Sequence, residues 1–109
     1  MSITRHFVNV GTRQVHYRRA GTGAPVVLLH ASPSSSWALT TFVEVFGREY
    51  AAIALDTPGY GLSDPLTIET PEIGDCAEAL AETLDALGIE QCALFGSHTG
   101  ATVAIEFAR

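Results

Sequence analysis

The stretch Cys92-Ala93-Leu94-Phe95-Gly96-Ser97-His98-Thr99-Gly100-Ala101 constrains the fold of this chain more than any other. An apolar run with strand character enters a Gly-x-X-x-Gly pentapeptide, and a segment rich in small residues follows. Strand, sharp turn and helix in that order describe a nucleophile elbow, which holds one side chain up into an active site. Glycines flank such a turn because it brings the helix and strand backbones too close for β-carbons. The central residue, two positions from each glycine, is His98. A serine is usual there.

The other apolar runs supply a sheet for that turn to sit on. Val26-Val27-Leu28-Leu29 and Ala51-Ala52-Ile53-Ala54-Leu55 are continuous apolar stretches, as expected of strands buried on both faces, and Gln91 to Phe95 is another strand. Ahead of them, Arg5 to Val10 and Gln14 to Arg19 alternate in character across a Gly11-Thr12 turn, the pattern of a hairpin. Ser34 to Ser36 can cap a helix running through Trp37, Leu39, Phe42, Val43 and Phe46, with Gly47 as its stop. Glu72 to Leu87 is the clearest helix, with Ile73, Cys76, Ala77, Leu80, Leu84 and Leu87 on one face and Gly88 at its end. Thr99 to Arg109 is the last helix. The order β-β-β-α-β-α-β-α implies an α/β fold: a mostly parallel sheet covered by helices and led by an antiparallel hairpin.

At 109 residues this is at most one small domain. A helix such as the last one normally crosses over to a further strand, and without it the strand ending at Phe95 has an open apolar edge. The expectation is that residues 1–109 are the N-terminal portion of one longer domain, cut after the helix that follows the elbow.

Charge and motif content narrow the function classes. A net charge of −6 with only six Lys plus Arg argues against a nucleic-acid partner. Arg5, Arg13, Arg18 and Arg19 fall on the two leading segments, read as edge strands with a solvated face. His6, His16, His30 and His98 are too dispersed for a metal set, and Cys76 and Cys92 lack metal spacing and read as buried thiols. Neither a P-loop nor a Rossmann fingerprint is present, so no cofactor is expected. The N-terminus has no apolar signal-peptide core and no apolar run is long enough to span a bilayer, so no membrane is expected and the cytoplasm is the default location.

Three loops follow buried strands: His30-Ala31-Ser32-Pro33, Asp56-Thr57-Pro58-Gly59-Tyr60-Gly61-Leu62-Ser63-Asp64 and Gly96-Ser97-His98-Thr99-Gly100. Ligands of open α/β sheets bind at such strand ends. The set resembles the α/β-hydrolase superfamily over the whole chain. Within it, the likeness is to the branch of haloalkane dehalogenases, epoxide hydrolases, C–C bond hydrolases and small esterases. There the loops are typically His-Gly-x-Pro, Asp-x-x-Gly-x-Gly-x-Ser and Gly-x-nucleophile-x-Gly. Two positions depart from that pattern: Ala31 replaces glycine, and His98 stands where Ser, Asp or Cys is usual.

The resemblance implies an α/β-hydrolase fold and a cofactor-independent hydrolase of small apolar esters or related carbonyl substrates. It places an oxyanion hole at the backbone N–H groups of Ser32 and Thr99, and a triad acid and histidine after later strands. His98 could then act as a general base, or as a nucleophile through an acyl-imidazole that is itself reactive. The competing reading is a non-catalytic ligand-binding protein on the same fold, with His98 filling the pocket. Ser97 is the weaker alternative for the reacting side chain, because Phe95 and Thr99 rather than glycines lie two residues from it. His30 either lines the pocket or, more commonly for such a position, serves as a hydrogen-bond hub beneath the loop. Trp37 could wall the pocket, but its helical spacing with Val43 and Phe46 favours core packing. Asp56 reads as a loop organiser accepting backbone N–H bonds. Gly59 and Gly61 read as turn formers, and Ser63-Asp64 as a cap or turn.

Overall fold

The continuous apolar runs form the middle of a five-stranded sheet in the computed structural model, which describes residues 2–109. Strands β1 (Thr4–Val10) and β2 (Arg13–Ala20) form the antiparallel hairpin, β3 spans Pro25–Leu29, β4 Ala51–Leu55 and β5 Ala93–Gly96. Their spatial order is β1-β2-β4-β3-β5, with β3 parallel to both β4 and β5. The hairpin is therefore not two edge strands: β2 is interior, paired with β4 from Tyr17↔Leu55 to Ala20↔Ala52. At the opposite margin, β5 is hydrogen-bonded to β3 alone among the described strands.

Because side chains alternate across a strand, β3 and β4 feed two cores. Val27, Leu29, Ile53 and Leu55 join Val10, Val15, Leu80, Leu84 and Val103 on one face. That face is covered by α2 (Ile73–Ala86) and α3 (Thr99–Ala108), which pack against each other. Val26, Leu28, Ala52 and Ala54 join Ala20, Leu39 and Val43 on the other, beneath α1 (Thr40–Phe46). On that side β4 presents only alanines, so the short α1 can lie close to the sheet.

Helix α2 begins with a capping box in which the Glu72 N–H donates to Asp75 Oδ2 at 2.9 Å and the Glu72 side chain accepts in return. It ends in a Schellman arrangement: Ile89 N–H reaches Leu84 O at 2.9 Å and Gly88 N–H reaches Asp85 O at 3.0 Å.

The helix expected from Trp37 onward is instead a 3₁₀ turn, Ser36–Leu39, leading into α1. The Ser35 side chain caps it by accepting from Trp37 N–H. Three residues per turn put Ser36 and Leu39 on the buried side and rotate Trp37 outward. Trp37 is 67 % exposed, neither core nor pocket wall, with the Arg18 guanidinium 5.3 Å from its ring centre. Arg18 is half-buried and its Nε–H donates to Ser36 Oγ at 3.1 Å, so this arginine is not part of a solvated face. Cys76 and Cys92 are free, half-buried thiols, both pushed above the usual thiol pKa by burial, with Asp75 adding to the effect at Cys76.

The alanine face of β4 is a packing constraint that can be tested. Ala54→Leu adds volume beneath Leu39 and Val43, where nothing can yield without moving α1. Urea unfolding should show a loss of about 1–3 kcal/mol.

Candidate active site

The backbone hydrogen bonds place the apex of the elbow. Ser97 N–H donates to Leu29 O at 3.1 Å, continuing the β5–β3 pairing one residue past the strand. His98 O already accepts from Ala101 and Thr102 N–H at 3.0 and 3.2 Å, as the first carbonyl of α3 does. The whole change of direction falls on His98, at φ 56° and ψ −114°. It is the one non-glycine residue with positive φ among the described residues, a conformation costing about 1–3 kcal/mol that persists where surrounding packing enforces it. A β-carbon on Gly96 would collide with the backbone of Gly100 and Ala101, and one on Gly100 with the carbonyls of Leu29 and His30. The glycines thus let α3 lie against β3 and β5, and that contact holds His98 in its strained turn.

The loop after β3 meets this turn. Ser32 N–H donates to Thr99 Oγ1 at 2.6 Å, joining the two residues expected to flank an oxyanion. Ala31 carries no positive φ, so the replacement of glycine there needs no strained backbone. His30 is 1 % exposed. Its Nδ1–H donates to Ala31 O at 2.8 Å, and its Nε2 accepts from Thr57 N–H at 3.1 Å. It is the hub that ties the first loop to the second, and its ring also lines the cavity.

Asp56, only 2 % exposed, organises the second loop. Its Oδ1 accepts from Ser36 N–H at 2.7 Å, and its Oδ2 accepts from Leu62 N–H at 3.0 Å and from His16 Nδ1–H at 2.8 Å. Burial alone would push this carboxyl up. The hydrogen bonds from Ser36, Leu62 and His16 outweigh it and hold the pKa below the ordinary carboxylate value. Gly61 sits where a β-carbon would strike that carboxylate. Ser63 and Asp64 fasten the loop to β2: Ser63 Oγ donates to Asp56 O at 2.7 Å and accepts from His16 N–H at 2.9 Å, while Asp64 Oδ2 accepts from Gln14 N–H at 2.8 Å.

A cavity of about 760 Å³ opens among these loops and α2, within the range of small-molecule sites. His30, Ser32, Thr57, Tyr60, Thr99 and Gly100 form its polar end, while Leu29, Leu55, Leu66, Ile73, Leu80 and Val103 contribute to its apolar wall. His98 is not among the lining residues. Its side chain is exposed, and its ring makes no hydrogen bond to another described residue. No group of three or more His, Cys, Asp or Glu is placed to hold a metal ion among the described residues. Among the described residues no helix is long and apolar enough to cross a membrane.

The sequence pattern did not mark His16 as the partner of Asp56, since the two are forty residues apart and join only when β2 pairs with β4. Nor did it mark Cys76, Ala79 and Thr83 as cavity lining. Their helical spacing looks the same whether a residue faces a core or a void. The one available signal was polar Thr83 on the apolar face of α2, and its hydroxyl is spent on Ala79 O at 2.8 Å.

A family model described as "Alpha/beta hydrolase family" matches residues 26–109. The chain belongs to this family. A 2-hydroxy-6-oxononadienedioate/2-hydroxy-6-oxononatrienedioate hydrolase of Burkholderia vietnamiensis is 37 % identical over 116 aligned positions, covering 98 % of this chain and 40 % of the relative. A soluble epoxide hydrolase of a Corynebacterium species is 31 % identical over 110 positions, covering 97 % and 37 %. The solved structure of the epoxide hydrolase CorEH without ligand superposes with a TM-score of 0.90 at 29 % identity, covering 98 % of this chain and 38 % of that one. The chain therefore spans about two-fifths of the length of these hydrolase relatives.

Two outcomes follow from the site's construction. Gly100→Ala drives a β-carbon into two strand-end carbonyls that cannot withdraw, so unfolding should be easier by at least about 2 kcal/mol in a denaturant titration. Asp56 has a folded pKa below its unfolded value. Its contribution is thus fully present above the unfolded pKa, about 4, and is lost as pH falls through the lower folded value. Stability measured from pH 6 down to pH 2 should decline in that acid window, and Asp56→Asn should be less stable at pH 6 and show a flatter decline.

Proposed function

We propose that the intact protein is a cofactor-independent hydrolase of small apolar esters or related carbonyl compounds, with His98 as its general base. One observation carries this reading: the strained apex of the elbow is occupied by His98, on the same sheet edge where Ser32 and Thr99 meet beside a largely apolar cavity. A side chain is held at such a cost where it is used, and an imidazole is the side chain suited to proton transfer near neutrality.

In the proposed reaction His98 takes a proton from water as the water oxygen attacks the ester carbonyl carbon. The carbonyl π electrons pass to oxygen, and the resulting oxyanion is held beside the contact between Ser32 and Thr99. When the tetrahedral intermediate collapses, the bond to the alkoxy group breaks and His98 returns its proton to the leaving alkoxide. The products are a carboxylic acid and an alcohol. The apolar wall from Leu29 to Val103 suits an apolar acyl chain. The hydrolase relatives support the reaction class. The free thiols of Cys76 and Cys92 support a reducing, cytoplasmic setting.

Among the described residues nothing orients the His98 ring. The isolated 109-residue chain should accordingly show no measurable esterase activity. In the intact protein, His98→Gln keeps much of the side-chain shape but cannot shuttle a proton. Turnover of p-nitrophenyl butyrate should fall by at least about 10²-fold, with the thermal midpoint nearly unchanged. Undiminished turnover would return the role to Ser97. No turnover in either protein, with only ligand affinity altered, would establish the binding protein instead.

A further inference from the structure

Resting on that reading of the site, we infer that the oxyanion is met by the hydroxyl of Thr99, and that the Ser32 N–H acts behind it rather than on the substrate. A backbone N–H has one hydrogen to give. That of Ser32 is already given, to Thr99 Oγ1 at 2.6 Å. Threonine's hydroxyl carries one hydrogen and two acceptor positions, so accepting from Ser32 leaves its own hydrogen free. A hydroxyl that accepts a hydrogen bond is polarised and becomes a better donor.

Position favours the same assignment. Ser32 and Thr99 both line the cavity, so the hydroxyl between them lies where a carbonyl oxygen entering beside the elbow would arrive. Thr99 also offers its backbone N–H, since the first N–H groups of a helix have no partner within it. One residue thereby presents two donors, and Ser32 sits one hydrogen bond further back. An oxyanion bonded to Thr99 Oγ is then beyond direct reach of Ser32 N–H. The side chain after the elbow apex becomes part of the chemistry, and a role for the first loop that would need only its backbone becomes a supporting one.

The alternative is that the Thr99 hydroxyl merely occupies the hole and leaves when substrate enters. Thr99→Ala and Thr99→Ser separate the two. If the hydroxyl is the donor, Thr99→Ser in the intact protein retains kcat within about threefold, whereas Thr99→Ala lowers kcat by about 10²-fold with KM little changed. Benzoate, a stable carboxylate, is titrated calorimetrically into the same proteins, because its binding does not require turnover. Its Kd should rise at least about tenfold in Thr99→Ala, the loss expected for one hydrogen bond to a charged group, and stay near wild type in Thr99→Ser. Circular dichroism confirms that each variant is folded. Unchanged or increased kcat in Thr99→Ala overturns the inference, since the freed Ser32 N–H would then be the better donor. Should the wild type show no turnover, the benzoate titration decides alone: a tenfold loss in Thr99→Ala upholds the role of the hydroxyl. Equal affinity in the two proteins, or no benzoate binding to the wild type, overturns it.

Discussion

The carboxylate of Asp56 joins three parts of the molecule at one buried point. It takes hydrogen bonds from His16 on β2, from Ser36 at the start of the 3₁₀ turn and from Leu62 within its own loop. The His16 and Ser36 donors are buried and would otherwise be left without this partner, and a buried unsatisfied polar group costs more than a typical hydrogen bond contributes. The arrangement is therefore closer to all-or-none than to a sum of weak contacts. With Asp56 in place, the loop after β4 lies against the loop after β3, and His30 can bridge them through Thr57. The Ser36 hydroxyl, in turn, holds Arg18 in position beside Trp37.

The elbow depends on a different constraint, the volume available between strand and helix. Gly96 and Gly100 remove the two β-carbons that would separate α3 from β5 and β3. The resulting close packing compels His98 into a backbone conformation that histidine does not choose freely. Strain of this kind is stable only because the cores on both faces of β3 are complete: Val27, Leu28 and Leu29 are at most 1 % exposed. Position at the apex and rigidity of the base are thus two consequences of one packed layer. The chemistry proposed for Thr99 draws on this layer, since a donor contributes most when it is oriented before the substrate arrives.

Much of this was legible in residue order. Buried strands announce themselves by continuous apolar runs, and α2 by its period and by Gly88 at its end. The elbow is marked by glycines at fixed offsets from His98. These are local signals, set by steric and solvation rules that act over a few residues. The role of Asp56 could be anticipated because short acidic side chains in loops bond to nearby N–H groups. The 3₁₀ turn could not, because the apolar spacing of Trp37, Leu39, Phe42, Val43 and Phe46 is compatible with an α-helix. Only the demand that Ser36 and Leu39 both point at the sheet selects the tighter winding and turns Trp37 to solvent.

By itself the sequence determined the class of fold, the order of its elements and the position of the strand-to-helix elbow, because each follows from patterns a few residues long. The tertiary structure alone decided which strand is interior, that His16 completes the Asp56 site, and that Ser32 N–H meets a hydroxyl rather than open space. Those pairings join residues thirty-two to sixty-seven positions apart. No local rule reaches so far; they form when the sheet assembles in the order β1-β2-β4-β3-β5 and brings three strand ends to one edge.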